Sequence, residues 1–254
     1  MLGIESSIQL TTHNSYEVQS RSSSWTHTKR RMSSPMNTAI YYNNVGIAYL
    51  EKGDHEDALR MLKEAAQQLY TATLNHKTSV NSEAGKITET ECDVSSKARY
   101  FPRQPLVSNT DSNTFLCSVP IFLSAKNSSG GCTQESAVVL YNMALTYHLN
   151  AISANSISKA LQNAMTLFEM ASNLSLQVDH SEQTSHIIMS SLNNLGLLHH
   201  EQGNYSRSHQ YFENLSMYIS SLRTPTEIYI ASERRAFLLN AMVLRNEAKG
   251  AAAA

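Results

Sequence analysis

The sequence predicts an all-α fold in which antiparallel helical hairpins stack, with a C-terminal capping helix and a long polar insert. Three observations support this reading. A pattern of large and small apolar residues recurs in three separated segments. In the first and third segments it is followed by a Gly-Asp or Gly-Asn break and, at once, by a second amphipathic stretch. From Thr133 onward, apolar residues recur at helical rather than alternating spacing.

Order is expected to begin at Ser34-Pro35. Residues 1–33 are rich in Ser and Thr without an apolar period, and such a tail buries too little surface to offset the entropy of ordering. Ser34 is placed to cap a helix, and Pro35 suits the first turn, where no N–H donor is needed. The first hairpin is assigned to 34–70. It is followed by a polar insert, 71–132, whose three prolines and Ser128-Ser129-Gly130-Gly131 run do not fit helix. Inside the insert, Phe115, Cys117, Val119, Ile121 and Leu123 alternate as a short half-buried strand would, with Pro120 restricting it to an edge or bulge. Residues 133–249 should hold two further hairpins and the capping helix. That last helix is announced by Thr224-Pro225-Thr226-Glu227, a capping box, and its apolar face comprises Ile230, Phe237, Ala241 and Leu244. Gly250 is a natural stop, and 250–254 is a low-complexity tail.

The recurring pattern consists of Tyr42, Val45, Gly46 and Tyr49; Leu140, Met143, Ala144 and Tyr147; and Leu192, Leu195, Gly196 and His199. Asn44, Asn142 and Asn194 each stand just before the second apolar position. In the second helix of each unit a small residue precedes a large one by four: Ala58 and Leu62, Ala164 and Phe168, Ser208 and Phe212. Closely packed antiparallel helices need a small residue where backbones approach and bulky ones beside it. Gly53 and Gly203 supply the positive φ of the intervening turns.

These features resemble the tetratricopeptide repeat, over about half the chain, and the third unit is similar to the longer-helix variety of kinesin light chains. The spacing departs from the family: Gly46, Ala144 and Gly196 are 98 and 52 residues apart instead of about 34. Ala144 and Ala164 are separated by 20 residues where Gly46 and Ala58 are separated by 12. The resemblance implies a scaffold or adaptor that binds a peptide or helix in a groove lined by the first helices. Carried over residue by residue, the groove positions are Asn43, Ile47 and Leu50 in the first unit, with Ile40 and Glu51. The second offers Tyr141, Leu145 and His148, with Val138 and Leu149, and the third Asn193, Leu197, His200 and Glu201, with Ser190. The set holds no Lys or Arg to clamp a C-terminal carboxylate, so an amphipathic helix or apolar extended segment is the expected ligand. Cover by the 71–131 insert or the last helix is the competing expectation for these residues.

Other function classes find little support. Twenty basic residues against 21 acidic ones give a net charge of −1, which leaves no surplus for nucleic acid. No secretory leader or membrane span is read from the sequence. Cys92, Cys117 and Cys132 fit neither a zinc pair nor a disulfide framework, so reduced thiols in the cytoplasm or nucleus are expected. His180, His186, His199, His200 and His209 lack metal-ligand spacing, and no cofactor, metal or catalytic motif is assigned. The rival readings are a structural subunit that uses the hairpins to form a homo-oligomer, and an enzyme whose residues come from distant positions. Arg30-Arg31-Met32-Ser33-Ser34-Pro35 additionally resembles a kinase target, with Ser33 or Ser34 phosphate favoured at a helix N-terminus.

Overall fold

Helix α1, Pro35–Leu50, starts where its sequence allows: Ser34 is extended and its Oγ accepts from the Asn37 N–H at 3.3 Å, with Pro35 in the first turn. A computed structural model of the chain describes residues 34–82, 116–124, 132–154, 157–178, 181–222, 235–242 and 244. All belong to one unit spanning 34–254. Besides α1 it contains α2 (His55–Ser82), α3 (Thr133–Ala154), α4 (Ile157–Ser175), α5 (Glu182–Glu201) and α6 (Tyr205–Ser221), then a helical stretch at 235–242. The fold is all-α. Helices pack as pairs, α1 with α2, α3 with α4 and α5 with α6, and each pair packs on the next. The tail 1–33, residues 83–115 and 125–131 of the insert, the capping box at Thr224, Ile230, Gly250 and the alanine tail lie outside the described residues.

The two glycine turns close identically. After α1, Gly53 has φ 79° and the Asp54 N–H reaches back to the Tyr49 carbonyl at 3.0 Å. After α5, Gly203 has φ 72° and the Asn204 N–H reaches the His199 carbonyl at 2.8 Å. A Cβ is strained in this left-handed region, which explains why both turns use glycine. The third hairpin also begins with a reciprocal cap, Ser181 with Thr184, that the sequence reading does not identify.

Within each pair the small residues stand where the helices approach. A Cβ on Gly46 would come within 2.8 Å of Leu62 Cγ, and one on Gly196 within 2.7 Å of Phe212 Cζ. Ala144, Ala164 and Phe168 occupy the equivalent contact in the middle pair and are fully buried. The extra residues of that unit lengthen α3, which continues to Ala154 without a glycine break.

One boundary and one element differ from the sequence expectation. Helix α2 runs to Ser82, past residue 70, through the polar Thr71–Ser82 stretch; Thr71 and Thr73 hydroxyls bond the carbonyls of Gln67 and Leu69 one turn back, which accommodates them in helix. The alternating stretch 116–124 is extended, as its pattern implies, but is not paired with a strand among the described residues. Its backbone partners are side chains on the inner face of the helical stack.

Candidate functional site

The first helices of the three hairpins, α1, α3 and α5, form a groove, and residues 116–124 lie along it. Val119 precedes a proline, which biases it toward extended backbone. Cys117, Ser118, Val119, Ile121 and Leu123 are buried, while Leu116, Pro120 and Phe122 are only partly so. Ile121 and Leu123 join the core built by α1–α4, and Cys117 joins a second core with Met189, Leu197, Phe212 and Phe237.

Three asparagines hold the backbone of this stretch. Asn44 accepts from the Leu123 N–H at 3.0 Å and donates to the Leu123 carbonyl at 2.9 Å. Asn142 does the same for Ile121, at 2.9 and 2.8 Å. Asn194 does so for Cys117, at 3.2 and 2.9 Å. A carboxamide presents a donor and an acceptor side by side, matching the N–H and C=O that one extended residue presents on the same edge. Between the second and third clamps, the Tyr141 hydroxyl donates to the Val119 carbonyl at 3.1 Å. The stretch runs from the third hairpin to the first.

Each clamp is oriented by neighbours. Asn43 donates to Asn44 Oδ1 at 3.1 Å and to the Ile121 carbonyl at 3.2 Å, and accepts from Asn142 Nδ2 at 2.9 Å. Asn193 donates to Asn194 Oδ1 at 3.2 Å and accepts from Asn240 Nδ2 at 2.8 Å. The C-terminal helical stretch thus supports the third clamp, while its Phe237, Ala241 and Leu244, three residues of the expected apolar face, close the core beneath it.

Of the residues expected to line the groove, Asn43, Tyr141 and Asn193 meet at this ladder. Ile47 is fully buried, Leu50 and Leu145 pack together with Ala58, and Leu197 is covered from the side of Phe237. His148 is buried edge-on to Phe168, and burial pushes its pKa down to about 4, so it is a neutral packing group. His200 stands edge-on to Tyr205, and Glu201 is exposed. Asn44, Asn142 and Asn194, absent from that set, supply the paired N–H and C=O contacts, to which Asn43 and Tyr141 each add one carbonyl contact. Their repetition at one position in all three units is the signal that could have placed them there.

A Cys-His-Ser grouping also forms: Cys117 Sγ lies 3.1 Å from Ser190 Oγ and 4.0 Å from His186 Nε2. The thiol is fully buried, so the grouping fills space and gives no substrate access. Among the described residues no three His, Cys, Asp or Glu side chains are placed to hold a metal ion, and Cys117 and Cys132 are free thiols. No helix among them is long and apolar enough to cross a membrane.

A second concavity, of about 590 Å³, opens between α4 and α6 over Ile188 and Leu192 of α5. Tyr211 spans it by donating to the Glu169 carboxylate and stacks on His199 at 5.3 Å; burial, then the Glu169 contact, pushes its pKa up to about 12.

In comparison with known proteins, the family model described as tetratricopeptide repeat matches residues 38–67 and 188–215. These are the first and third hairpins, each spanning its glycine turn. No curated protein and no solved structure matches the chain.

Proposed function

The chain is a tetratricopeptide-repeat protein, and from that premise we propose that it works as a protein-interaction adaptor whose inner groove takes an extended segment of a partner. Such repeats generally mediate protein–protein interaction. The observation that supports the groove as the working surface is the asparagine ladder: the side chains of Asn44, Asn142 and Asn194 address backbone N–H and C=O groups and are already matched to an extended peptide. Recognition through main-chain bonds gives affinity, and pockets for alternate side chains give selectivity. The chemistry is that of binding, with neutral amides and a phenol in place of a nucleophile and base.

The test is affinity capture from cell extract with the intact chain beside an Asn142→Ala, Asn194→Ala double variant, after circular dichroism has shown equal helix content. Partners held by the intact chain and lost from the variant support the groove. A partner set that does not change moves the working surface elsewhere.

A further inference from the structure

Residues 116–124, Leu-Cys-Ser-Val-Pro-Ile-Phe-Leu-Ser, occupy the face on which a partner segment would have to lie. We propose that this stretch is a built-in copy of the ligand. The groove's partner is an uncharged, extended internal segment with aliphatic side chains at alternate positions, and it binds by displacing 116–124. The inference rests on the adaptor reading above and specifies the ligand of the same groove.

The ladder sets the chemistry. The clamps at Cys117, Ile121 and Leu123 each use both the N–H and the C=O of one residue within a continuous chain. A ligand must therefore cross the groove as an internal segment running from the third hairpin to the first. The clamping groups are carboxamides and a tyrosine hydroxyl, all neutral, which suits a segment without charge. At its C-terminal end, Leu123 and Ser124 share a small cavity with Glu135, a buried carboxyl whose pKa is raised by that burial. An acidic residue there would sit beside a second carboxyl, so it is disfavoured.

The side-chain sites set the pattern. Residues corresponding to Ile121 and Leu123 enter apolar surroundings, that of Val119 is buried, and the site of Cys117 is small and bounded by Ser190, Tyr141 and His186. The position of Pro120 tolerates an imino acid because the ladder takes its N–H groups from residues 117, 121 and 123. A preferred partner accordingly reads small, small, β-branched, proline or any, aliphatic, any, aliphatic.

Because 116–124 belongs to the same chain, it competes at the effective concentration of a tethered ligand. A partner supplied in solution then binds with an apparent affinity reduced by the fraction of molecules whose groove is filled.

A fluorescein-labelled Leu-Cys-Ser-Val-Pro-Ile-Phe-Leu-Ser peptide is the probe, read by anisotropy. It is added to the full chain, to an Ile121→Ala variant with a weakened occupant, and to a full-length variant with 116–124 replaced by Gly and Ser. The expected result is an affinity that rises from the full chain through Ile121→Ala to the replaced chain, by roughly tenfold or more overall. An Asn142→Ala substitution added to the replaced chain should abolish the gain, and a probe with Asp at its Ile position should not bind. If the replaced chain does not fold, a gain for Ile121→Ala over the full chain still supports the proposal, and no gain overturns it. Equal binding to all three chains overturns displacement while leaving the adaptor reading in place. No binding to a folded replaced chain overturns both, and makes 116–124 part of the core only. A concentration-dependent dimer of the full chain that Ile121→Ala loses assigns the groove to a second copy and overturns a foreign partner.

Discussion

On the inner face of the stack polar side chains are buried, whereas on the outer face between α4 and α6 apolar ones are exposed. Asn43, Asn142, Asn193 and Asn194 are completely inaccessible, yet each is hydrogen-bonded. Leu176 and Met217, which line the outer concavity, are 56 and 65% exposed. Exposed apolar surface alone would therefore point to the outer concavity. What distinguishes the inner face is that its polar groups are matched to an extended backbone, and leaving such groups buried without partners costs about 1–3 kcal/mol each.

The sharpest way to break this contrast is to put a charge on each face. Ile121→Asp places a carboxylate in the core and should cost about 4 kcal/mol or more, or expel 116–124 altogether, read as a collapsed urea midpoint or as loss of protection at residues 117–123 in hydrogen exchange. If stability were unchanged, the inner-face packing described for Ile121 would be wrong.

Acid should weaken the inner side next. The folded-state pKa of His148, about 4, lies below the ordinary 6.5. Above pH 6.5 the imidazole is neutral in both states. As pH falls from 6.5 toward 4 the unfolded chain takes up a proton that the folded chain refuses, and up to about 3 kcal/mol is lost. The buried Glu135 acts in the opposite sense, its raised pKa making acid favourable to the folded state. The difference between the wild type and His148→Leu in urea melts across this range isolates the histidine, and a variant with the same pH slope as wild type would refute its buried, neutral state.

Smaller again is the effect of Gly196→Ala. The new methyl meets the Phe212 ring, and overpacking should cost about 1–3 kcal/mol, partly offset by better helix propensity. Phe212→Leu in the same chain should recover part of the loss in a double-mutant cycle; strict additivity would show that the two residues do not compete for space.

The mildest change is expected outside. Met217→Asp, on a side chain 65% exposed, should stay within about 0.5 kcal/mol of wild type. Loss of self-association by this variant, seen in sedimentation at unchanged stability, would identify the outer concavity as a contact between subunits.

Much of the scaffold was legible because its determinants are local. Ser34-Pro35, the turn glycines Gly53 and Gly203, and the Gly46/Leu62 and Gly196/Phe212 contacts follow from spacings within one hairpin. The alternation in 117–123 was also visible. Its partners were not, because Asn44, Asn142 and Asn194 stand 79, 21 and 77 residues from the backbone groups they hold. The three asparagines, read one hairpin at a time, look like part of the packing pattern. His148 misled for a related reason: the histidine expected to face the groove is turned against Phe168, and its ring contact joins α3 to α4. The far end of α2 was missed because its Thr and Asn residues have no apolar period to announce a helix.

The path of 116–124 has a consequence for the order of events during synthesis. In an ordinary repeat array each unit needs only its neighbours, so units consolidate one after another as they emerge. Here the stretch leaves the ribosome after the first hairpin and before the other two, yet it must be gripped by Asn194, made some 77 residues later. The first hairpin can fold early, but the ladder cannot close until the last hairpin exists. Ends that would be independent in a plain solenoid are thereby joined into one cooperative unit, and final consolidation waits for the third hairpin.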